Sequence, residues 1–256
     1  MVLKIKGYGW KPYLPDHRDH TFAAPVQVLT ELPPKVDLRP QCPTTVYAQL
    51  QLGSCTGNAI AGAVEFDLLK QKKEDFIPSR LFIYYNEREI EGSIDQDAGA
   101  MIRDGIKSVA NLGVCPETEW PYDINKFTEK PSEQCYKDAL KTRSQSYSRI
   151  SRSLNQMKGC LASGYPFVFG FSVYESFESD DVTKSGIVPM PGPASKDGFL
   201  GGHAVLAVGY DDSQSRFIVR NSWGDKWGIK GYFTIPYAYL LDENLSDDFW
   251  TIRIVG

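Results

Sequence analysis

Histidine and cysteine are scarce in these 256 residues: three of the first and five of the second. An odd cysteine count leaves at least one thiol without an internal partner. The spacings contain no C-x-x-C pair, which argues against a metal site of that kind and against a dense disulfide framework. No apolar run reaches the ~18 residues of a membrane span. No block of Lys and Arg stands out, and the formal net charge is -4, which argues against nucleic acid as a partner. The opening MVLKIKGYGWKPYLPDHRDH lacks the apolar stretch of a secretory signal. The default expectation is a cytoplasmic protein, with secretion left open for a trimmed chain. Repeats and low-complexity tracts are also absent. What remains is an ordinary globular composition, long enough for a real core in one or two domains.

Residues 1–31 carry proline, charge and aromatics without periodicity and form an extended N-terminal arm. From Thr56 to about Lys72 the pattern changes. Ile60, Val64 and Leu68 recur every fourth residue with Ala61, Ala63 and Leu69 beside them, which predicts a helix with a wide apolar face. PSRLFIYYNEREIEG predicts a second helix starting at Pro78 or Ser79. Residues 97–114 predict a third, with Met101, Ile102, Ile106 and Val109 as its stripe and Gly113 as its end. Residues 116–141 are loop-rich and could hold a seam, so the body divides into a mainly helical part, 32–130, and a mainly β part, 131–256. In the latter, YPFVFGFSV, HAVLAVGY, RFIVRNSW, GYFTIP and DFWTIRIVG are strand-like runs bounded by turn residues. Helices first and strands later give an α+β class. The acidic run from Asp242 to Asp248 is expected as a solvated loop.

Cys55, in QLGSC, stands where loop becomes helix. The unpaired amides of a helix N-terminus favour thiolate over thiol, although a cysteine is more often an inert core residue. A thiol nucleophile needs a base. His17 and His20 lie in the polar stretch PDHRDH, where they could form a weak metal site with Asp16 and Asp19 but are better explained as a solvated surface. His203 follows Gly201-Gly202 and begins an apolar strand, so it can face a cleft while its strand anchors it. Asn221 ends a second apolar strand. If the two strands pair as a hairpin around GYDDSQS, the Asn221 amide falls near the imidazole and can orient it, and Trp223 can cover that bond. An oxyanion would need donors: the Cys55 N–H is one, and the amide of Gln49 or Gln51 could be another.

QLQLGSC, GHAVLAVGY and NSWGDKWGIKGYF, in that order and with about 150 residues between Cys and His, resemble the papain-like cysteine peptidases from LPPKVDLRP onward. The resemblance implies a two-domain fold, a helical left domain and a β-barrel-like right domain with the active-site cleft between them. It implies Cys55 as nucleophile, His203 as general base and acid, Asn221 as the residue orienting the histidine and Trp223 as its indole cover. It selects Gln49, six positions before the nucleophile, for the oxyanion hole. Gly99-Ala100 matches the family's substrate-strand glycine pair, and Gly202 adds backbone near the scissile bond. No metal or cofactor is implied. Protein or peptide substrates are, and so are protein inhibitors of the cystatin type.

There are departures. The family's C-G-S-C-W is here Leu52-Gly53-Ser54-Cys55-Thr56, without the neighbouring structural cysteine and with Thr56 in place of an aromatic. The family's disulfides therefore do not transfer; Cys115 with Cys135, and Cys42 with Cys160, could pair or stay reduced. The arm lacks the pattern of a long helical propeptide and is more similar to the short leader of prokaryotic and phage members. Two placements stay open for it, a plug in the cleft and packing on the back of a domain. The expected activity is cysteine-type endopeptidase hydrolysis through a thioester. The alternatives weighed are a catalytically retired binding protein on this fold and a transpeptidase or acyltransferase using the same thioester.

Overall fold

The computed structural model describes residues 7–14, 16–73, 75–193 and 196–254. Residues 1–6 and 15 of the arm and the last two residues of DFWTIRIVG lie outside the described residues. The elements are α1 (Val26–Thr30), β1 (Lys35–Asp37), α2 (Cys55–Lys70), α3 (Arg80–Glu91), α4 (Ile102–Leu112), α5 (Glu133–Ala139), β2 (Ser144–Arg149), α6 (Leu154–Ala162), β3 (Phe167–Tyr174), α7 (Asp180–Ser185), β4 (Phe199–Asp211), β5 (Arg216–Arg220), β6 (Tyr232–Pro236), α8 (Tyr237–Leu241) and β7 (Ser246–Ile254).

The central helix α2 is buried on every side from Cys55 to Leu68, more than its apolar pattern predicts. Its small residues explain this. A Cβ on Gly57 would lie 2.8 Å from the Arg80 carbonyl oxygen, so α3 crosses there backbone to backbone, while Gly62 faces Leu206 of β4. Helix α3 begins as expected at Ser79, whose hydroxyl accepts from the Phe82 amide at 3.1 Å, and ends on left-handed Gly92. The third helix is shorter than its pattern predicts: α4 starts at Ile102, not 97. Gly99 has φ +70°, and Ala100 is held in extended pairing with Trp10 of the arm, so the chain there serves as a strand edge.

The strands pair in the order β2-β7-β3-β4-β5-β6, with β1 alongside β4. All six pairings are antiparallel. The hairpin expected around GYDDSQS is present as β4 and β5, with Asp211 opposite Arg216. The sheet remains open; it wraps the core without closing into a barrel. Apolar residues of β3, β4, β5 and α2 meet in the main core, where Phe167, Phe169, Phe171 and Phe217 are fully buried; burial of such side chains stabilises by roughly 1.5–3 kcal/mol each. Among the described residues no helix is long and apolar enough to cross a membrane.

Candidate active site

Cys55 opens α2 and is fully buried. The preceding turn sets its position. The Gly53 amide donates to both carboxylate oxygens of Asp97 at 3.0 Å, and the Asn58 amide group binds the Ser54 carbonyl at 2.9 Å. The sulfur rests against the main-chain amides of Gly9 and of Ala204, the residue after His203 in β4. His203 is paired across the sheet with Phe171. Its Nε2 lies 2.8 Å from Oδ1 of Asn221, and its Nδ1 is buried without a hydrogen-bond partner. Asn221 follows β5; its own amide donates to Gly231 O, and its Oδ1 also accepts from the Ser222 amide. The Trp223 ring stands 5.1 Å from the imidazole, centroid to centroid, at 31°.

Gln49 and Gln51 separate here. Gln51 is exposed, whereas Gln49 is fully buried. The Ser222 hydroxyl donates to its Oε1 at 2.7 Å, which leaves Nε2 as a donor. That nitrogen reaches Leu52 O and, at 3.0 Å, the carbonyl of Gly7. Ala100 and Gly202 form the two walls of the same groove.

The groove is occupied by the chain's own arm. The Ala100 amide donates to Gly9 O at 2.7 Å, the Trp10 amide to Gly202 O at 2.9 Å, and the Lys11 amide to Ala100 O at 3.0 Å. Tyr8 sets its ring 6.1 Å from His203 and 6.2 Å from Trp223, and its hydroxyl donates to Glu178. The glycines are the local reason the arm fits. A Cβ on Gly9 would lie 1.7 Å from Gly53 O, one on Gly99 2.1 Å from Gly9 O, and one on Gly170 2.0 Å from the Trp10 indole. The placement on the back of the body also occurs, further along: Phe22 and His20 pair with Arg149 at the edge of β2.

His17 and His20 lie exposed, as the solvated-surface reading expects. Asp16 and Asp19 are not spare metal ligands: Asp19 accepts from Arg103 at 2.7 Å and Asp16 at 3.0 Å, while His17 projects into solvent. One expectation about charged residues is corrected: the acidic run 242–248 is not wholly solvated. Asp248 is fully buried and its Oδ2 accepts from Trp10 Nε1 and the Tyr13 amide, both at 3.0 Å.

The covered site holds neutral groups. Burial pushes the Cys55 thiol up to about 12, only partly offset by the amides of Ala204 and Gly9. Burial likewise pulls His203 down to about 4, against the bond to Asn221. The thiolate expected from the helix N-terminus is therefore not the form favoured here, because desolvation by burial outweighs the dipole.

Reasoning from sequence overlooked Tyr8, Gly9, Glu178, Ser222, Tyr122 and Asp248. Only the first two carried a signal, the G-Y-G-W alternation of glycine and aromatic. Tyr122 matters because its hydroxyl donates to Gln49 O at 2.9 Å and meets Ser54 Oγ at 2.5 Å.

A buried helix bearing a thiol at its tip, packed on an open antiparallel sheet that carries an Asn-bound histidine and faces a glutamine amide, is the arrangement of a cysteine peptidase. The chain belongs to the papain family of cysteine proteases: that family matches residues 32–240. It is 52% identical over 213 residues to an uncharacterized peptidase C1-like protein of Acanthamoeba polyphaga mimivirus, covering 80% of this chain and 68% of the relative. It is 27% identical over 213 residues to cysteine proteinase 2 of Entamoeba histolytica, covering 80% of this chain and 64% of that one. Among solved structures, xylellain, a cysteine protease from Xylella fastidiosa, superposes with a TM-score of 0.91 at 48% identity, covering 99% of this chain and 98% of its own. A procathepsin B from Trypanosoma congolense shares the fold at a TM-score of 0.81 and 19% identity, covering 99% of this chain and 88% of its own.

Proposed function

We propose that the chain hydrolyses internal peptide bonds of proteins through a thioester on Cys55, and that the covered site described above is its latent state. The observation that carries this reading is the polypeptide in the groove. Gly7, Gly9, Trp10 and Lys11 engage the Gln49 side-chain amide and the main chain of Ala100 and Gly202 through their own main-chain atoms, and such contacts suit any extended peptide whatever its side chains.

With the groove open, the Cys55 sulfur, deprotonated by His203, attacks the scissile carbonyl carbon. The carbonyl oxygen becomes an oxyanion facing Gln49 Nε2 and the Cys55 N–H, each such donor contributing roughly 3 kcal/mol. His203 returns its proton to the leaving amine, which departs and leaves the thioester. A water that gives its proton to His203 then attacks the thioester, the acid leaves, and the thiol is restored. Asn221 holds the imidazole so that Nδ1 faces the sulfur, and Trp223 keeps water from that bond. Gly99, Ala100 and Gly202 supply the edges on which substrate backbone pairs. A cystatin-type inhibitor would enter the same groove only after the arm has left it.

The test is digestion of an unfolded protein by chain whose arm has been displaced. New peptide termini should appear and should vanish after a thiol-directed epoxide has labelled Cys55. Absence of cleavage by fully labelled-competent protein would refute the hydrolytic reading. Gln49→Ala should lower kcat by about 10²–10³-fold with little change in KM, the signature of a donor that acts on the transition state; equal losses in binding alone would remove Gln49 from that role.

Asp248 bears on closure. Replacement by alanine removes the acceptors of Trp10 Nε1 and the Tyr13 amide, and is expected to raise the open fraction by roughly 5–150-fold, equivalent to about 1–3 kcal/mol. The check is limited proteolysis of the arm. Asp248→Asn keeps an acceptor and should stay near wild type; the opposite ranking would unseat Asp248 as an anchor. Burial holds its carboxyl up, at about 6, against ~3.9 in water. This group therefore favours closure most below pH ~3.9, and that contribution is lost as pH rises through about 6. His203 works in the reverse sense: held at about 4 when covered and ~6.5 when free, it penalises closure as pH falls from ~6.5 to about 4.

A further inference from the structure

Two buried thiols lie outside the active site and are close to one another. Cys115 follows α4, and its carbonyl accepts from the Ser79 amide at 2.8 Å. Cys135 lies in α5. Both are buried. The two Sγ atoms and a carboxylate oxygen of Glu119 all fall within 4.8 Å of one another. The Ser132 hydroxyl donates to Cys135 Sγ at 3.1 Å. Cys135 Sγ also donates to Glu119 O at 3.7 Å, as Cys42 does to Leu38 O at 3.4 Å and Cys160 to Tyr165 O at 3.5 Å.

We propose that Cys115 and Cys135 are a redox-active dithiol, which a small-molecule disulfide converts to an intramolecular disulfide closing the loop between them. The Cys135 thiolate attacks one sulfur of the oxidant RS–SR and expels RS⁻, giving a mixed disulfide. Cys115 gives up its proton and attacks the Cys135 sulfur, and the second RS⁻ leaves. Two protein thiols are oxidised, and one RS–SR is reduced to two RSH once the released thiolates take up the two protons. The sulfurs must close to about 2.05 Å, which side-chain rotation on the short helix α5 can supply. Two thiolates and a carboxylate are also a partial zinc set, but the Glu119 side chain is on the surface and a closed structural site needs a fourth ligand. Two sulfurs within 4.8 Å of each other favour the dithiol.

The loop so tied is not idle. Glu117 forks onto Arg80 at 2.7 and 2.8 Å, the Trp120 carbonyl accepts from Ser79 Oγ at 2.7 Å, and Tyr122 braces Gln49 and Ser54 beside Cys55. Oxidation would therefore stiffen the support of the groove. This goes beyond the hydrolytic reading and does not depend on it.

The experiment treats the full chain with oxidised glutathione, blocks residual thiols by alkylation and maps cross-linked peptides. The expected product joins Cys115 to Cys135, raises Tm by roughly 5–10 °C and reverts with dithiothreitol. Cys115→Ser should instead leave a glutathione adduct on Cys135 and no gain in Tm. Mapping of the unsubstituted chain needs no variant to fold. Both thiols still free after oxidation, a bond to a different cysteine, or one equivalent of zinc bound by the untreated chain and lost in Cys135→Ser would each overturn the proposal.

Discussion

Gly9→Val is expected to drive the arm out of the groove and to raise the rate of Cys55 alkylation at neutral pH by at least about 10³-fold. The first Cβ already has no room. It would sit 1.7 Å from the Gly53 carbonyl oxygen, and that carbonyl cannot yield, because the Gly53 amide is clamped by Asp97 and its neighbour Ser54 is bound by Asn58 and Tyr122. Displacing residue 9 breaks its bond with Ala100 and unseats Tyr8 and Trp10 on either side. The magnitude follows from the thiol. At about 12 in the covered state, roughly 10⁻⁵ of the sulfur is thiolate at pH 7, whereas an ordinary thiol near 8.5 is a few per cent ionised. The sign of the pH dependence separates the two states. Covered protein should react about tenfold faster per unit of rising pH throughout the neutral and alkaline range. Opened protein should keep its reactivity into the acid range, where an imidazolium beside the sulfur sustains the thiolate. The same rate and the same profile in Gly9→Val, with the arm shown by proteolysis to be free, would refute the claim that burial by the arm silences the thiol.

The parts of this site that could be placed from sequence are those where chemistry demands a residue type at an element boundary. Cys55 at the tip of α2, His203 before the apolar run of β4 and Asn221 leaving β5 stand out because their neighbours announce a helix or strand by period, and only three histidines compete; β4 itself begins earlier, at Phe199. The choice of Gln49 over Gln51 needed the family resemblance; the structure gives its physical counterpart, the Ser222 hydroxyl that fixes the Gln49 amide. The arm was legible as extended but not as to its path. Gly7 and Gly9 are informative only against Gln49, Gly53 and Ala100, all more than forty residues away in sequence. The start of α4 was misplaced for the same reason, since Ala100 is held in extended pairing by the arm, while the flanking Gly99 and Met101 amides bind Tyr84 and Glu91. Asp248 was misjudged because its partners, Trp10 and the Tyr13 amide, lie more than two hundred residues away in sequence. Local pattern reports local preference, and each of these errors lies where a distant segment overrides it.

In chain opened by Gly9→Val, replacing Cys55 by alanine, His203 by alanine, or both is expected to bring peptide cleavage down to one common floor. Each single loss should be at least about 10⁴-fold in kcat, and the double variant should lose no more. The reasoning is that sulfur and imidazole act on one proton: without His203 the sulfur is an ordinary thiol with no acid to release the amine, and without Cys55 there is nothing for the base to activate. Independent contributions would multiply instead. His203→Ala has a second readout that a structural role would not move. Its Cys55 should alkylate with a single inflection near the ordinary ~8.5 and lose the acid-range reactivity, while Asn221→Ala should keep some of it, because the imidazole remains and only its orientation by the 2.8 Å bond is lost. An alkylation profile in His203→Ala that matches the parent would mean that the imidazole does not share the sulfur's proton, and the thioester mechanism would have to be given up.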